Sequence, residues 1–167
     1  MENQIILSSQ QVKQIIKRLA FEIYEHNYLE KEIILAGIFD KGYLLAAHLL
    51  AEFQAIGSRC QAKLLKVELD KFSPTQSAIK LDFAPELIKN KTVILIDDVL
   101  NSGRTLAYSL KPFLTVEIGK IQVAVLVDRG HKSFPVGADY VGYSLSTTLK
   151  EHIDVVFDEK DIVVYLK

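Results

Sequence analysis

Val93-Ile94-Leu95-Ile96-Asp97-Asp98-Val99-Leu100-Asn101-Ser102-Gly103-Arg104-Thr105-Leu106 is the stretch on which the fold turns. Its four leading apolar residues read as a strand covered on both faces, as in a parallel sheet. Two adjacent carboxylates follow, then a small polar turn, then a helix from Leu106. In open α/β sheets the ligand sits beyond the carboxyl ends of the strands. The turn from Asn101 to Thr105 sets several backbone N–H groups at a helix N-terminus, with Gly103 free to take a positive φ. That is an anion cradle suited to a phosphate monoester. Asp97 and Asp98 repel phosphate, so they call for hydroxyl donors or a metal ion. A ribose 5-phosphate meets both demands, with phosphate on the turn and ring hydroxyls on the carboxylates. Two other phosphate motifs, G-x-x-x-x-G-K-[ST] and G-x-G-x-x-G, do not occur. The plain alternative is an acidic strand end before a capped helix, and the Gly103 turn weighs against it.

Outward from this stretch, strands alternate with helices. Ser8 with Gln11 forms a capping-box pattern, and Val12, Ile15, Ile16, Leu19, Ala20 and Ile23 then recur at helical spacing to about Asn27. Ile33 to Phe39 is an apolar run of the buried-strand kind, broken by Asp40-Lys41-Gly42 before a helix pattern from Tyr43 to Ala55. Cys60 to Leu69 reads as a strand, and Asp70 to Pro85 as a long loop. Such loops in compact domains are usually functional or disordered. Pro112 must kink or end the helix opening at Leu106. Ile121 to Val127 is a further strand, and Ile153–Phe157 with Ile162–Leu166, around Asp158-Glu159-Lys160-Asp161, a hairpin. The pattern predicts an α/β fold, one domain over 1–167, with a mostly parallel central sheet flanked by helices and a β-rich C-terminal hairpin.

Composition bounds the function. The 167 residues are 49% hydrophobic and 25% charged, which predicts a soluble globular chain. Twenty Lys and Arg against 21 Asp and Glu leave a formal charge of −1, hence no global field for nucleic acid. Cys60 is the single cysteine, so neither an intrachain disulfide nor a Cys-based zinc spacing is available. Met1-Glu2-Asn3-Gln4 lacks a basic n-region and no apolar run is of membrane length, so a cytoplasmic protein is expected. Cys60, Tyr140, Tyr143 and Phe134 read as core or interface residues.

Residues 93–106 resemble the phosphoribosyl-pyrophosphate motif of the type I phosphoribosyltransferases: apolar strand, two acids, two apolar residues, then a polar turn ending Gly-Arg-Thr. Val125-Leu126-Val127-Asp128-Arg129-Gly130-His131 and Ala138-Asp139-Tyr140-Val141-Gly142 narrow the likeness to the bifunctional pyrimidine-operon attenuator/uracil phosphoribosyltransferases. The resemblance implies a small β-rich hood beside the central sheet. It implies transfer of a 5-phosphoribosyl group from phosphoribosyl pyrophosphate to a nucleobase, uracil first, with Mg²⁺ as cofactor and a homodimer or larger homo-oligomer. A purine base and a UMP-sensing, RNA-binding regulator are the alternatives. By position, Asp97 and Asp98 would hold the ribose hydroxyls and flank the metal, with Asn101, Ser102, Gly103, Arg104 and Thr105 around the 5-phosphate. Asp40, Lys41 and Gly42 would contact pyrophosphate, Asp128, Arg129 and His131 would lie in the hood over the base, and residues 70–85 would form the flap.

Two departures stand out. The family's flap carries a Tyr-Arg pair, and here Leu69-Asp70-Lys71-Phe72-Ser73-Pro74 has no Arg, leaving Lys71 as the candidate catalytic substitute. A lysine supplies point charge but not the bidentate fork of arginine. The scattered cations Arg59, Lys63, Lys66, Lys132 and Lys150 read as solvated faces rather than an RNA-binding stripe.

Overall fold

The computed structural model describes residues 4–57, 59–73, 78–148, 151–158 and 161–167. Along them run β1 (Gln4–Leu7), α1 (Ser9–Asn27), β2 (Glu32–Ile38), α2 (Lys41–Ala55), β3 (Gln61–Glu68), β4 (Lys80–Leu81) and, after a 3₁₀ turn at Pro85–Leu87, β5 (Thr92–Leu100). There follow α3 (Arg104–Ser109), α4 (Lys111–Leu114), β6 (Lys120–Asp128), β7 (Tyr140–Ser144), β8 (Ile153–Phe157) and β9 (Ile162–Leu166). Lys150, Glu159, Lys160 and the Pro74–Ser77 part of the expected flap lie outside the described residues.

The larger sheet has the order β4-β3-β2-β5-β6-β7. Every pairing in it is parallel except β3 with β4. Strand order runs outward from β2 through β3 on one side and from β5 through β6 on the other. The crevice outside the carboxyl ends of β2 and β5 is therefore the topological switch point, where such sheets bind ligands. Alternate strand residues feed two cores: Ile33, Leu35, Ile94 and Ile96 pack with α1 and α2, while Ile34, Ala36, Val93 and Leu95 pack with Leu106 and Phe113. Burial on both faces is why these strands carry unbroken apolar runs.

The helices follow the sequence signals. Ser8 and Gln11 cap α1 reciprocally, each side chain bonding the other residue's backbone N–H. Pro112 sits in the first turn of α4, where its missing N–H costs nothing, so the apolar run splits into two short helices.

The structure departs from the expectation in four places. The strand of the opening motif does not stop at Ile96. Asp97 and Asp98 belong to β5 and are buried, 4% and 9% exposed. The 70–85 loop holds β4, paired antiparallel with Val67 and Glu68. Tyr140–Ser144, short and polar at its end, is an edge strand parallel to β6, with its carbonyls at Val141 and Gly142 taken by Arg18 Nη2 at 3.3 and 2.6 Å. Gln4–Leu7 pairs with β9, turning the hairpin into a three-stranded sheet, β1-β9-β8. Cys60 and Tyr140 are buried as expected, whereas Tyr143 is 36% exposed. Among the described residues no helix is long and apolar enough to cross a membrane.

Candidate active site

Asp97 and Asp98 sit where β5 reaches the switch point, and the start of α2 packs against them from the end of β2. Gly42 makes that approach possible. A Cβ there would stand 2.6 Å from the Ile96 carbonyl oxygen and 3.1 Å from Asp97 Oδ1. The segment Asp40-Lys41-Gly42, where the chain enters α2, is thus held beside the carboxylates.

Asp97 accepts hydrogen bonds at Oδ1 from the Asp98 backbone N–H at 3.0 Å and from Lys71 Nζ at 3.3 Å. Burial pushes its carboxyl up to about 7, opposed by the Lys71 ammonium and reinforced by the neighbouring Asp98. The group is poised to change charge near neutrality, and hydroxyl donors or a cation would favour its ionised form. Lys71 is presented by an Asx turn, in which Asp70 Oδ1 accepts from the N–H groups of Phe72 and Ser73 at 2.8 and 3.1 Å. Lys71 therefore reaches Asp97 from the loop after β3, at the position where the sequence offers it in place of arginine.

Beyond β5 the chain turns through Asn101 and Ser102 to Gly103, whose φ of 81° an L side chain would strain. This conformation lets α3 begin at Arg104. A concave pocket opens there, lined by Asp97, Val99, Leu100 and residues 101–106. The turn is held from behind: Ser133 and Phe134 donate their N–H groups to the Ser102 carbonyl at 2.8 and 3.0 Å. Arg104 stacks over its own helix neighbour Tyr108, 5.9 Å from the ring centroid, and Tyr108 meets Phe134 edge-on. The sequence leaves the direction of the Arg104 side chain open, and this contact fixes it.

Two sets of candidate residues are held by partners within the chain. Lys41 is engaged by Asp154 of β8, Nζ to Oδ1 at 2.9 Å, and the other carboxylate oxygen takes Lys167 at 2.6 Å. Lys167 and Lys41 together hold the Asp154 carboxyl below its usual range. Nothing local in the sequence links residues 113 positions apart, so Asp154 went unnoticed there. Asp128, Arg129 and His131 lie at the carboxyl end of β6 and just after it. Asp128 accepts from Gly130 N at 2.8 Å and pairs with Lys132 at 3.5 Å. Arg129 is buried, 8% exposed, with its guanidinium bonded to Asn101, Thr147, Thr148 and Glu151. His131 Nε2 lies 2.6 Å from the Thr147 carbonyl and so carries a proton.

The scattered cations are largely paired: Lys63 with Glu32, Lys66 with Glu68 and Lys132 with Asp128. Among the described residues no group of three or more His, Cys, Asp or Glu is placed to hold a metal ion. Taken together, the switch-point crevice offers two buried acids, Lys71 on one of them, and a glycine-opened turn at a helix start. That combination can hold a phosphorylated sugar with a second anionic group beside it.

Comparison with known proteins agrees. A family model for the phosphoribosyl transferase domain matches residues 2–160. The chain is 34% identical to the Bifunctional protein PyrR of Macrococcus caseolyticus (strain JCSC5402), covering 100% of both proteins. It is 35% identical to that of Bacillus pumilus (strain SAFR-032), covering 94% of this chain and 92% of the relative. Among solved structures, a hypoxanthine-guanine phosphoribosyltransferase from Bacillus anthracis str. 'Ames Ancestor' matches with a TM-score of 0.76 at 18% identity, covering 98% of each chain. The hypoxanthine phosphoribosyltransferase of Trypanosoma cruzi matches with a TM-score of 0.74 at 17% identity, covering 96% and 95%. At such identities the structural likeness speaks for the fold alone.

Proposed function

Because this chain belongs to the phosphoribosyltransferases, an enzyme family of pentosyltransferases, and groups there with the Bifunctional protein PyrR relatives, we propose that it transfers a 5-phosphoribosyl group from phosphoribosyl pyrophosphate to a nucleobase, uracil foremost. The observation that carries the reading is the acid pair Asp97–Asp98 buried beside the Gly103 turn at the switch point.

The 5-phosphate binds the turn from Asn101 to Thr105, and the ribose hydroxyls donate to Asp97 and Asp98. A ring nitrogen of the base attacks the anomeric carbon as the bond to pyrophosphate breaks. The bonding electron pair leaves with pyrophosphate, and the nitrogen loses its proton. The sugar becomes cation-like on the way, which nearby carboxylates favour. Lys41 and Lys71 favour the departing pyrophosphate, and both exchange a carboxylate partner for it, Asp154 in one case and Asp97 in the other. Asp128 and His131 border the place of the base. Mg²⁺ suits this donor set, since Asp97 and Asp98 offer hard oxygens and the Lys71 ammonium already occupies a cation position 3.3 Å from Asp97. When bound there, held by Asp97 and Asp98, the ion would supply positive charge for the leaving group. A homodimer or larger homo-oligomer in the cytoplasm completes the reading.

Pyrophosphate release from phosphoribosyl pyrophosphate and Mg²⁺, tested with uracil, hypoxanthine and guanine, decides it. Turnover with uracil alone is expected, and turnover with a purine alone would reassign the base. The flap without arginine favours a second reading, a UMP-sensing regulator that binds RNA. It gains if no base turns over while UMP still binds. A pyrimidine-gene leader transcript should then be retained with a steep dependence on salt, and absence of retention at low salt rejects it.

A further inference from the structure

Arg129 is the only cation among the described residues to be as buried as the hydrophobic core. Its hydrogen-bond acceptors are all uncharged oxygens. Nε donates to Thr147 Oγ1 at 3.0 Å, Nη1 to Asn101 Oδ1 at 2.9 Å, and Nη2 to the Glu151 and Thr148 carbonyls at 2.6 and 3.3 Å. Four of its five N–H groups are thereby used. Its own backbone N–H donates to the Leu100 carbonyl at 3.1 Å, pinning it to the end of β5. A guanidinium so committed has little left for a base. The Glu151 carboxylate lies near enough to feel the guanidinium charge, and the four hydrogen bonds fix where that charge sits.

One of those bonds fixes chemistry in the phosphate turn. A guanidinium can only donate, so the Asn101 atom facing it must be the carbonyl oxygen. The amide nitrogen of Asn101, a donor, is then turned away from Arg129, in a residue that lines the pocket of the anion turn. An unanchored amide could present its oxygen to the phosphate, where it would repel. The other three bonds tie the same guanidinium to Thr147, Thr148 and Glu151, which lead into β8.

We propose that Arg129 is a positioning residue for phosphoribosyl binding: it sets the Asn101 amide with its donor toward the 5-phosphate and couples that turn to the segment entering β8. This rests on the reading above and replaces the base contact that family resemblance implies for Arg129. The positive charge stands behind the turn and acts on the ligand through Asn101.

The test measures ribose 5-phosphate affinity by calorimetry and KM and kcat for phosphoribosyl pyrophosphate. Wild type, Arg129→Lys, Thr147→Val, Asn101→Ala and the doubles with Asn101→Ala are compared. Arg129→Lys keeps the charge but cannot fill the fork, so about tenfold weaker binding is expected, the loss of one charge-assisted bond. Thr147→Val leaves the guanidinium and its other bonds in place, and is expected to weaken binding about threefold, as for a modest hydrogen bond. In the Asn101→Ala background both losses should vanish, and in the single variants the change should fall on KM for the phosphoribosyl substrate more than on kcat. A merely structural arginine would lower the folded fraction, hence kcat, with KM unmoved. Unchanged affinity in Arg129→Lys and Thr147→Val, or losses that add to that of Asn101→Ala, overturns the proposal. If Arg129→Lys fails to fold, Thr147→Val decides alone. Wild-type protein that does not bind ribose 5-phosphate overturns the functional reading itself, a distinct result.

Discussion

Replacing Asp97 by Asn removes a carboxyl that burial holds neutral up to about pH 7, against an ordinary value of 3.8. Asparagine keeps an oxygen for the Asp98 N–H, so the change is chiefly one of charge. The folded protein holds this proton more tightly than the unfolded chain. The native state therefore binds more protons than the unfolded state between those values, and stability falls as pH rises through them. The favourable contribution of the neutral carboxyl is complete below the unfolded value and gone once pH passes about 7. A gap of roughly three pH decades corresponds to about 4 kcal/mol. Asp97→Asn carries no such dependence. Its melting temperature should thus stay near wild type at about pH 4 and exceed it above about pH 8 by roughly 8–16 °C, at a few degrees per kcal/mol for a chain of this size. Differential scanning calorimetry of both proteins across that range, in metal-free buffer, reads the difference directly. Parallel curves, or a variant that loses ground as pH rises, would show Asp97 to be well solvated and would refute the assigned cost of its burial.

Three further outcomes are expected. Asp97→Asn with Asp98→Asn should abolish ribose 5-phosphate binding by calorimetry while the circular dichroism spectrum persists; retained affinity would move the sugar elsewhere. Lys71→Met removes the ammonium that opposes protonation of Asp97, so infrared titration of that carboxyl should place it higher still than in wild type; a fall would contradict the contact at 3.3 Å. Gly42→Ala puts a methyl against backbone of β5, 2.6 Å from the Ile96 oxygen, and should cost about 1–3 kcal/mol in urea unfolding together with weaker pyrophosphate binding. An unchanged midpoint would mean that the start of α2 can shift freely.

What the sequence makes legible follows from where its signals are local. The runs 33–38 and 93–96 declare β2 and β5 because strands buried on both faces must be apolar throughout. That Asp97, Asp98 and the Gly103 turn follow an apolar strand is plain from chain order, whereas their place at the switch point needs the order of strands in the sheet. Strand β1 escapes notice because four residues carry little periodicity and its partner lies at the other end of the chain. β7 escapes because an edge strand needs only one covered face, and Tyr143 and Ser144 are exposed. The site is legible as a list of residues but not as a set of pairings. That Lys41 rests on Asp154, or that the Arg129 guanidinium is filled by Asn101, Thr147, Thr148 and Glu151, depends on distant chain meeting in space. Charge arithmetic fails for the same reason: a net −1 describes the whole chain, whereas the crevice sets specific lysines against specific acids.

The pairing of β1 with β9 also orders events during synthesis. A ribosome delivers Gln4–Leu7 before every other described element, yet that strand has no sheet to join until Ile162–Leu166 has emerged. Asp154 reaches Lys41 only in the same closing interval, when β8 and β9 zip together. The register of β2, β5 and β6 needs nothing beyond Asp128. A nascent chain can thus assemble the crevice floor while Lys41 still lacks its carboxylate, and the carboxylate's other cation, Lys167, comes from just beyond β9.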